Sequence, residues 1–304
     1  MVTAVRLQLL VVVLVVAVAC GGSTEPVADD PGSSQIRIAS FDFAESQLLA
    51  ELYAQVVEGA GLPVERVGAV GPREVIAPAL ELDRLDLVPE YLGTALQFAG
   101  GLEPNPDVTS ARAELNAALA PRGLTALEPS AAEDKNVIVV TTATADRLGV
   151  ETISDLIPIG SEQRFGGPPE CPDRPLCLAG LEEVYGIRFA QFVTQRSLTV
   201  TAEALRRGEI DVGLMFSTAS QLEADDLVEL IDDRSLQPAE NIVPVVRVEA
   251  IDRWGPDFAA ALDELSGRLT TEDLRALNLR VANGEAFEEV AREWLLANQL
   301  IDSG

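Results

Sequence analysis

The amino-acid sequence predicts an α/β fold of two lobes, each an open sheet covered by helices. Three observations predict it. Apolar runs with strand and helix spacing alternate between residues 36 and 91. One helix–turn–strand segment is echoed 125 residues later. The length of 304 residues, 47% hydrophobic and 23% charged, suits one large or two medium globular domains.

The elements follow in order. "IRIASFDF" (36–43) alternates apolar residues and ends in a polar turn, as a first strand does. "AESQLLAELYAQVVEGAG" places Leu48, Leu49, Leu52, Tyr53, Val56 and Val57 at helical spacing, and Gly59 and Gly61 stop it. "PVERVGAV" reads as a second strand, "PREVIAPALELDRL" as a second helix and "DLVPEY" as a third strand. The order β-α-β-α-β implies an open sheet with helices on its faces. Ligands of such sheets bind outside the carboxyl ends of the strands, where the turns "SFDF", "GPRE" and "PEYLGT" fall.

The echo pairs "ALELDRLDLVPEYLGTA", from Ala79, with "ALRRGEIDVGLMFSTA", from Ala204; Asp86 matches Asp211 and Tyr91 matches Phe216. Each copy reads as a helix, a tight turn and a strand ending in an aromatic, so two similar lobes would offer strand ends to one cleft. "KNVIVVTTATADRLGVETISDL" (135–156) opens with a β-branched strand, enters a helix near Thr144 and could carry the chain into the second lobe. "LVELIDDRSLQPAENIVPVVRVEAI" (227–251) holds two apolar runs and looks like the return crossing. The tail 256–299 reads as helical throughout, with a helix start at Thr271 ahead of Glu272 and Asp273.

The net charge of -27, from 49 acidic and 22 basic residues, repels phosphate backbones and argues against nucleic acid as a partner. There is no histidine, which removes the commonest general base and metal ligand. Residues 1–19 read as a secretory signal peptide: Arg6 precedes a short apolar run that ends at "AVAC". That ending looks like a bacterial lipobox, with Cys20 lipid-modified, and the alternative is a plain signal with an incidental cysteine. Residues 20–35 then form a flexible tether to a membrane. Cys171 and Cys177, in an exported chain, read as a local disulfide rather than a metal site.

These segments together resemble the substrate-binding lipoproteins of ABC importers for quaternary ammonium compounds such as glycine betaine, choline and carnitine. The resemblance rests on "IRIASFDFAESQLLAELYAQVVE", "LDLVPEYLGTAL", "LRRGEIDVGLMFSTASQL", "DLVELIDDRSLQPAENIVPVV" and "LTTEDLRALNLRV", in that order. It implies a type II periplasmic-binding-protein fold, with lobe 1 at 36–137 plus 241–304 and lobe 2 at 138–240, joined by two crossing strands. It also implies a monomer outside the cytoplasm that serves a membrane permease, with neither cofactor nor metal.

A quaternary ammonium has no proton to donate, so aromatic faces must hold it. Tyr91 matches a position of the family's aromatic cage; the alternative is a tyrosine packed on its own lobe. The strand-end turns add Ser40, Phe41, Asp42, Glu90 and Thr94 to the candidates. The second lobe adds Phe165, Phe216, Ser217 and Thr218, and the return crossing adds Asn241. Arg164 could clamp a carboxylate or be a solvated surface residue. Phe43 is expected in the core. The family's frequent Ser-Lys-Asn-Phe reads Ser40-Phe41-Asp42-Phe43 here, which exchanges a cation for an aromatic and favours a cationic ligand. A binding protein for a different polar solute, a sensory or ligand-presenting lipoprotein, and an exported hydrolase using carboxylates such as Glu45 and Glu90 are the competing readings; the chain has neither a G-x-S-x-G nor an H-E-x-x-H motif.

Overall fold

A computed structural model describes residues 34–101, 105–224 and 226–302, so the leader, Cys20 and most of the tether lie outside the described residues. In chain order the elements are β1 (Ile36–Ser40), α1 (Ala44–Gly59), β2 (Val64–Ala69), α2 (Arg73–Glu81), β3 (Leu87–Tyr91), α3 (Leu92–Gly100), α4 (Val108–Leu119) and β4 (Leu124–Ala126). Next come β5 (Asn136–Thr141), α5 (Thr142–Leu148), β6 (Arg164–Gly167), α6 (Leu178–Gly180), β7 (Gln191–Thr194), α7 (Leu198–Arg206), β8 (Val212–Phe216) and β9 (Leu227–Leu230). The chain ends with β10 (Ile242–Arg247), α8 (Val248–Trp254), α9 (Pro256–Ser266), α10 (Thr271–Ala282) and α11 (Phe287–Ala297).

These strands form two five-stranded sheets of the same design, in the orders β2-β1-β3-β10-β4 and β7-β6-β8-β5-β9. In each, three strands are parallel, and the fourth arrives from the other half of the molecule and pairs antiparallel. Alternation along β5 shows why the second sheet lies between layers. Ile138 and Val140 pack into one apolar cluster and Val137 and Val139 into another, on opposite faces. The first sheet shares one large core with α1, α3, α4 and the C-terminal helices.

The echo seen in the sequence has a structural cause. Asp86 precedes β3 and accepts hydrogen bonds from the Arg37 backbone N–H and Nε, both at 2.9 Å. Asp211 precedes β8 and accepts from the Arg164 N–H and Nε, also at 2.9 Å. In both sheets a carboxylate at one strand entrance thus caps the start of the neighbouring parallel strand.

Two segments join the sheets. Residues 127–135 lead from β4 to β5, and residues 231–241 lead from β9 to β10. They run antiparallel and bond to each other: Asp134 N–H to Glu240 O at 3.0 Å, Ile242 N–H to Ala132 O at 2.9 Å and Ser130 N–H to Ile242 O at 2.8 Å. The Asn241 side chain adds a bond to Ser130 O at 2.8 Å. The crossing lies upstream of the β-branched strand at 136–141, which belongs wholly to the second sheet.

The C-terminal tail is helical but broken at Gly255, at 267–270 and at 283–286. Thr270, not Thr271, caps α10 through a capping box with Asp273. The disulfide Cys171–Cys177 is formed, with a Cα–Cα distance of 5.3 Å. Gly180 lets its loop fold tightly, since a Cβ there would lie 1.8 Å from Pro175 O.

The two Arg–Asp caps differ in exposure: the Arg37 and Asp86 side chains are 11% and 5% exposed, those of Arg164 and Asp211 38% and 20%. Asp86→Ala should therefore leave a buried guanidinium with Asp83 alone and cost about 2–3 kcal/mol. Asp211→Ala, in a more solvated pair, should cost about 1 kcal/mol. Urea unfolding of both variants measures the difference, and equal losses would contradict this account.

Candidate functional site

β1 and β3 end on the same side of the first sheet, and α1 and α3 start there. β8 and the two crossings bring residues of the second sheet to the same place. Between them lies a cavity of about 280 Å³ lined by Phe43, Arg73, Tyr91, Thr94, Asp134, Lys135, Asn136, Leu176, Phe216, Gln237, Pro238 and Glu240. Both sheets and both crossings thus contribute to one wall.

Its aromatic side is graded. Tyr91 is buried but reaches the cavity, while Phe43 and Phe216 are 44% and 43% exposed. Phe43 stacks on Phe41, with centroids 5.8 Å apart and planes 3° from parallel, and lies 6.0 Å from the Tyr91 ring. Such exposure of large apolar rings in a cleft is unfavourable in water and is relieved by an apolar or cationic occupant.

The cations of the cavity are already neutralised. Arg73 forms a two-pronged pair with Glu90, at 2.8 and 2.7 Å, and lies 4.8 Å over the Phe41 ring. Lys135 pairs with Glu133 at 2.5 Å. Three carboxylates, by contrast, are held by hydroxyl, amide and backbone donors. Glu240 takes Thr94 N–H at 3.0 Å and Thr94 Oγ1 at 2.7 Å, at the amino end of α3 where an anion is favoured. Asp134 accepts from Thr218 Oγ1 at 2.8 Å. Glu45, in the first turn of α1, accepts from Tyr91 Oη at 2.8 Å and Asn278 Nδ2 at 2.6 Å.

Burial raises Glu45 and Glu240 above the usual carboxylate range, and burial together with the charge of Glu45 pushes Asp134 up to about 7. Both side chains are half-buried, Asp134 against the cavity and Glu45 behind Tyr91, and the surrounding walls strip away most of their water. Burial first, and then the charge of Glu45, pushes the Tyr91 hydroxyl up, so it stays a donor.

Of the residues named from sequence, Tyr91, Thr94 and Phe216 line the cavity. Phe41 and Glu90 form the layer behind it, through Phe43 and Arg73. Ser217 and Thr218 join β8 to the first crossing: Ser217 Oγ accepts from Lys135 N–H at 3.0 Å and donates to Glu133 O at 2.6 Å. Asn241 is part of the crossing pair, and Ser40 is buried at the end of β1. Asp42 is exposed and does not line the cavity. Arg164 is held by Asp211 and Gly208 O at the far end of β6, and Phe165 is fully buried against Phe189, 4.8 Å away. Both lie away from the cavity because they sit at the start of their strand, and cleft residues sit at strand ends.

Phe43, expected in the core, is exposed in the cavity because it precedes α1 as its N-cap residue. Arg73, Asp134, Lys135, Leu176, Gln237 and Glu240 were not singled out. The turn "GPRE" marked the place of Arg73, and "PAEN" that of Glu240. Leu176 is brought in by the disulfide loop, whose carbonyl at 176 accepts from Asn136 Nδ2 at 3.2 Å and Gln237 Nε2 at 3.1 Å. No cluster able to hold a metal ion occurs among the described residues.

A family model described as the substrate binding domain of an ABC-type glycine betaine transport system matches residues 34–297. The glycine-betaine-binding protein of Pseudomonas aeruginosa is 28% identical over 280 residues, 88% of this chain and 89% of that protein. The carnitine transport binding protein of Listeria monocytogenes is 27% identical over 280 residues, covering 89% and 90%. A solved structure of a glycine betaine/carnitine/choline ABC transporter protein superposes with a TM-score of 0.81, at 23% identity, over 88% of this chain and all of that one.

Two outcomes are expected from this geometry. Asp134 binds more protons folded than unfolded between its ordinary range near 4 and about 7. Its ionisation therefore destabilises the empty protein as pH rises through about 7. Asp134→Asn should melt higher than the parent at pH 8, with the gap closing toward pH 5; thermal melts across that range check it. At Gly93 a Cβ would lie 2.9 Å from Ala239 O and 3.1 Å from Glu240 Oε1. Gly93→Ala should push Glu240 off α3 and destabilise the fold by about 1–3 kcal/mol, read as a lower urea midpoint.

Proposed function

This chain belongs to the family of substrate-binding domains of ABC-type glycine betaine transport systems, and from that premise we propose that its cleft captures a small quaternary ammonium solute for delivery to a membrane permease. The observation that supports the ligand class most directly is the pairing of exposed Phe43 and Phe216, beside Tyr91, with a cavity whose own cations are neutralised. Such a site attracts a cation through ring faces and carboxylates together. The named relatives from Pseudomonas and Listeria, a glycine-betaine-binding and a carnitine transport binding protein, point to the same class.

The role is binding without chemistry. The family is one of solute-binding proteins, and the cleft carboxylates are held by Tyr91, Thr94 and Thr218 rather than poised against a nucleophile. The cycle we infer is hinge bending at 127–135 and 231–241, which would bring Phe216 toward Phe43 and Tyr91. The protein works outside the cytoplasm as a monomer, anchored by a lipid on Cys20. No helix among the described residues is long and apolar enough to cross a membrane, so the permease is a separate chain in this reading.

Calorimetric titration with choline, glycine betaine and carnitine tests the proposal. At least one should bind with micromolar affinity. Phe43→Ala and Phe216→Ala should each weaken it about 2- to 30-fold, the loss of one ring face. Binding that is unaffected by both changes, or found only with sugars or amino acids, would overturn it.

A further inference from the structure

We propose that Glu45 and Asp134 act as one carboxylate pair, joined through Thr218 and Asn278, that holds a proton while the cleft is empty and releases it when a cation enters, so that the site selects a cation with no carboxylate of its own over a zwitterion. This rests on the quaternary ammonium reading above and deepens it.

The geometry comes from three parts of the chain. Asp134 lies on the first crossing and lines the cavity. Glu45 lies in the first turn of α1, directly behind Tyr91, whose hydroxyl donates to it at 2.8 Å. Thr218 follows β8, and its hydroxyl donates to Asp134 at 2.8 Å. Asn278 of α10 ties the group together, donating to Glu45 at 2.6 Å and to Thr218 O at 3.1 Å. The pair thus holds two half-buried carboxylates on neutral donors, with no cation among the described residues paired to either, and a proton on one of them relieves their repulsion.

The other charged groups facing the pair leave it uncompensated. Arg73 is closed onto Glu90, and Glu240 sits on Thr94. Lys135 is held by Glu133, and Arg275 by Ser217 O and Glu229. Burial raises both acids, and the charge of Glu45 adds to it at Asp134, which is pushed up to about 7. A cation against Tyr91 and Phe216 supplies the missing positive charge. The acid O–H then breaks heterolytically, its electron pair stays on the carboxylate oxygen, and the proton passes to buffer. A zwitterion brings its own carboxylate toward the same pair, and the two interactions oppose each other.

The test is calorimetric titration of the purified protein with choline and with glycine betaine, in two buffers of different ionisation enthalpy, at pH 6, 7 and 8. Choline should release most of one proton at pH 6, and its affinity should rise about tenfold between pH 6 and 8. Glycine betaine should bind more weakly at pH 8 than choline does. Asp134→Asn and, as a second variant, Glu45→Gln should flatten the pH dependence and remove the proton release. Choline binding with no proton released by the parent protein, or equal preference for betaine at pH 8, would overturn the pair while leaving the ligand class standing. Binding of neither solute would overturn both.

Discussion

The cleft depends on two peptide segments lying side by side. Residues 127–135 and 231–241 run antiparallel between the sheets, and buried backbone groups there need partners. They find them in each other, through Asp134 N–H to Glu240 O and Ile242 N–H to Ala132 O. This fixes the spacing of side chains that face the cavity: Asp134 and Lys135 from one segment, Gln237, Pro238 and Glu240 from the other. Among the described residues these segments are the covalent route between the sheets, so a bend that preserves their mutual hydrogen bonds would move one aromatic wall against the other.

Charge follows from the same arrangement. Strand ends and helix starts meet at the cleft, and helix starts favour anions. Glu45 and Glu240 occupy the amino ends of α1 and α3, Arg37 and Arg164 sit at strand entrances, and Arg73, which opens α2 at the cavity, is closed onto Glu90. The acidic cleft is thus a consequence of which end of each element faces inward. The overall excess of acidic residues adds a background field of the same sign.

Much of this was legible in the sequence. The period of apolar residues placed β1, α1, β2 and α2, while β3, buried along its whole length, showed as an apolar run between a charged turn and a helix. The echo of Asp86 with Asp211 was legible because both make the same hydrogen bonds to Arg37 and Arg164. Tyr91 and Phe216 were legible as strand ends. What was not legible came from the crossings. Asp134, Lys135, Gln237 and Glu240 carry no periodicity, and their place depends on pairing between segments about a hundred residues apart. Arg164 misled for a related reason: beside "FGG" it resembled a ligand clamp, but it opens its strand, and Asp211, 47 residues on, holds it there. Phe43 misled because the N-cap position of α1 leaves its ring exposed beside Phe41 instead of packing it into the core.

The scarcity of aromatics sharpens the role of the carboxylates. Aromatic residues are 5% of the chain, and three rings reach the cavity. At roughly 0.5–2 kcal/mol each, three faces supply about 2–6 kcal/mol. Micromolar affinity requires about 8 kcal/mol. Rings alone fall short, and the shortfall has two sources in this fold. One is apolar surface of Phe43 and Phe216 that leaves water as the walls approach. The other is the field of Glu45, Asp134 and Glu240, which acts in a site already poor in water and so is weakly screened. A cleft built this way trades aromatic enclosure for charge, and its preference among quaternary solutes is then set less by the size of the ammonium group than by the net charge of the molecule that carries it.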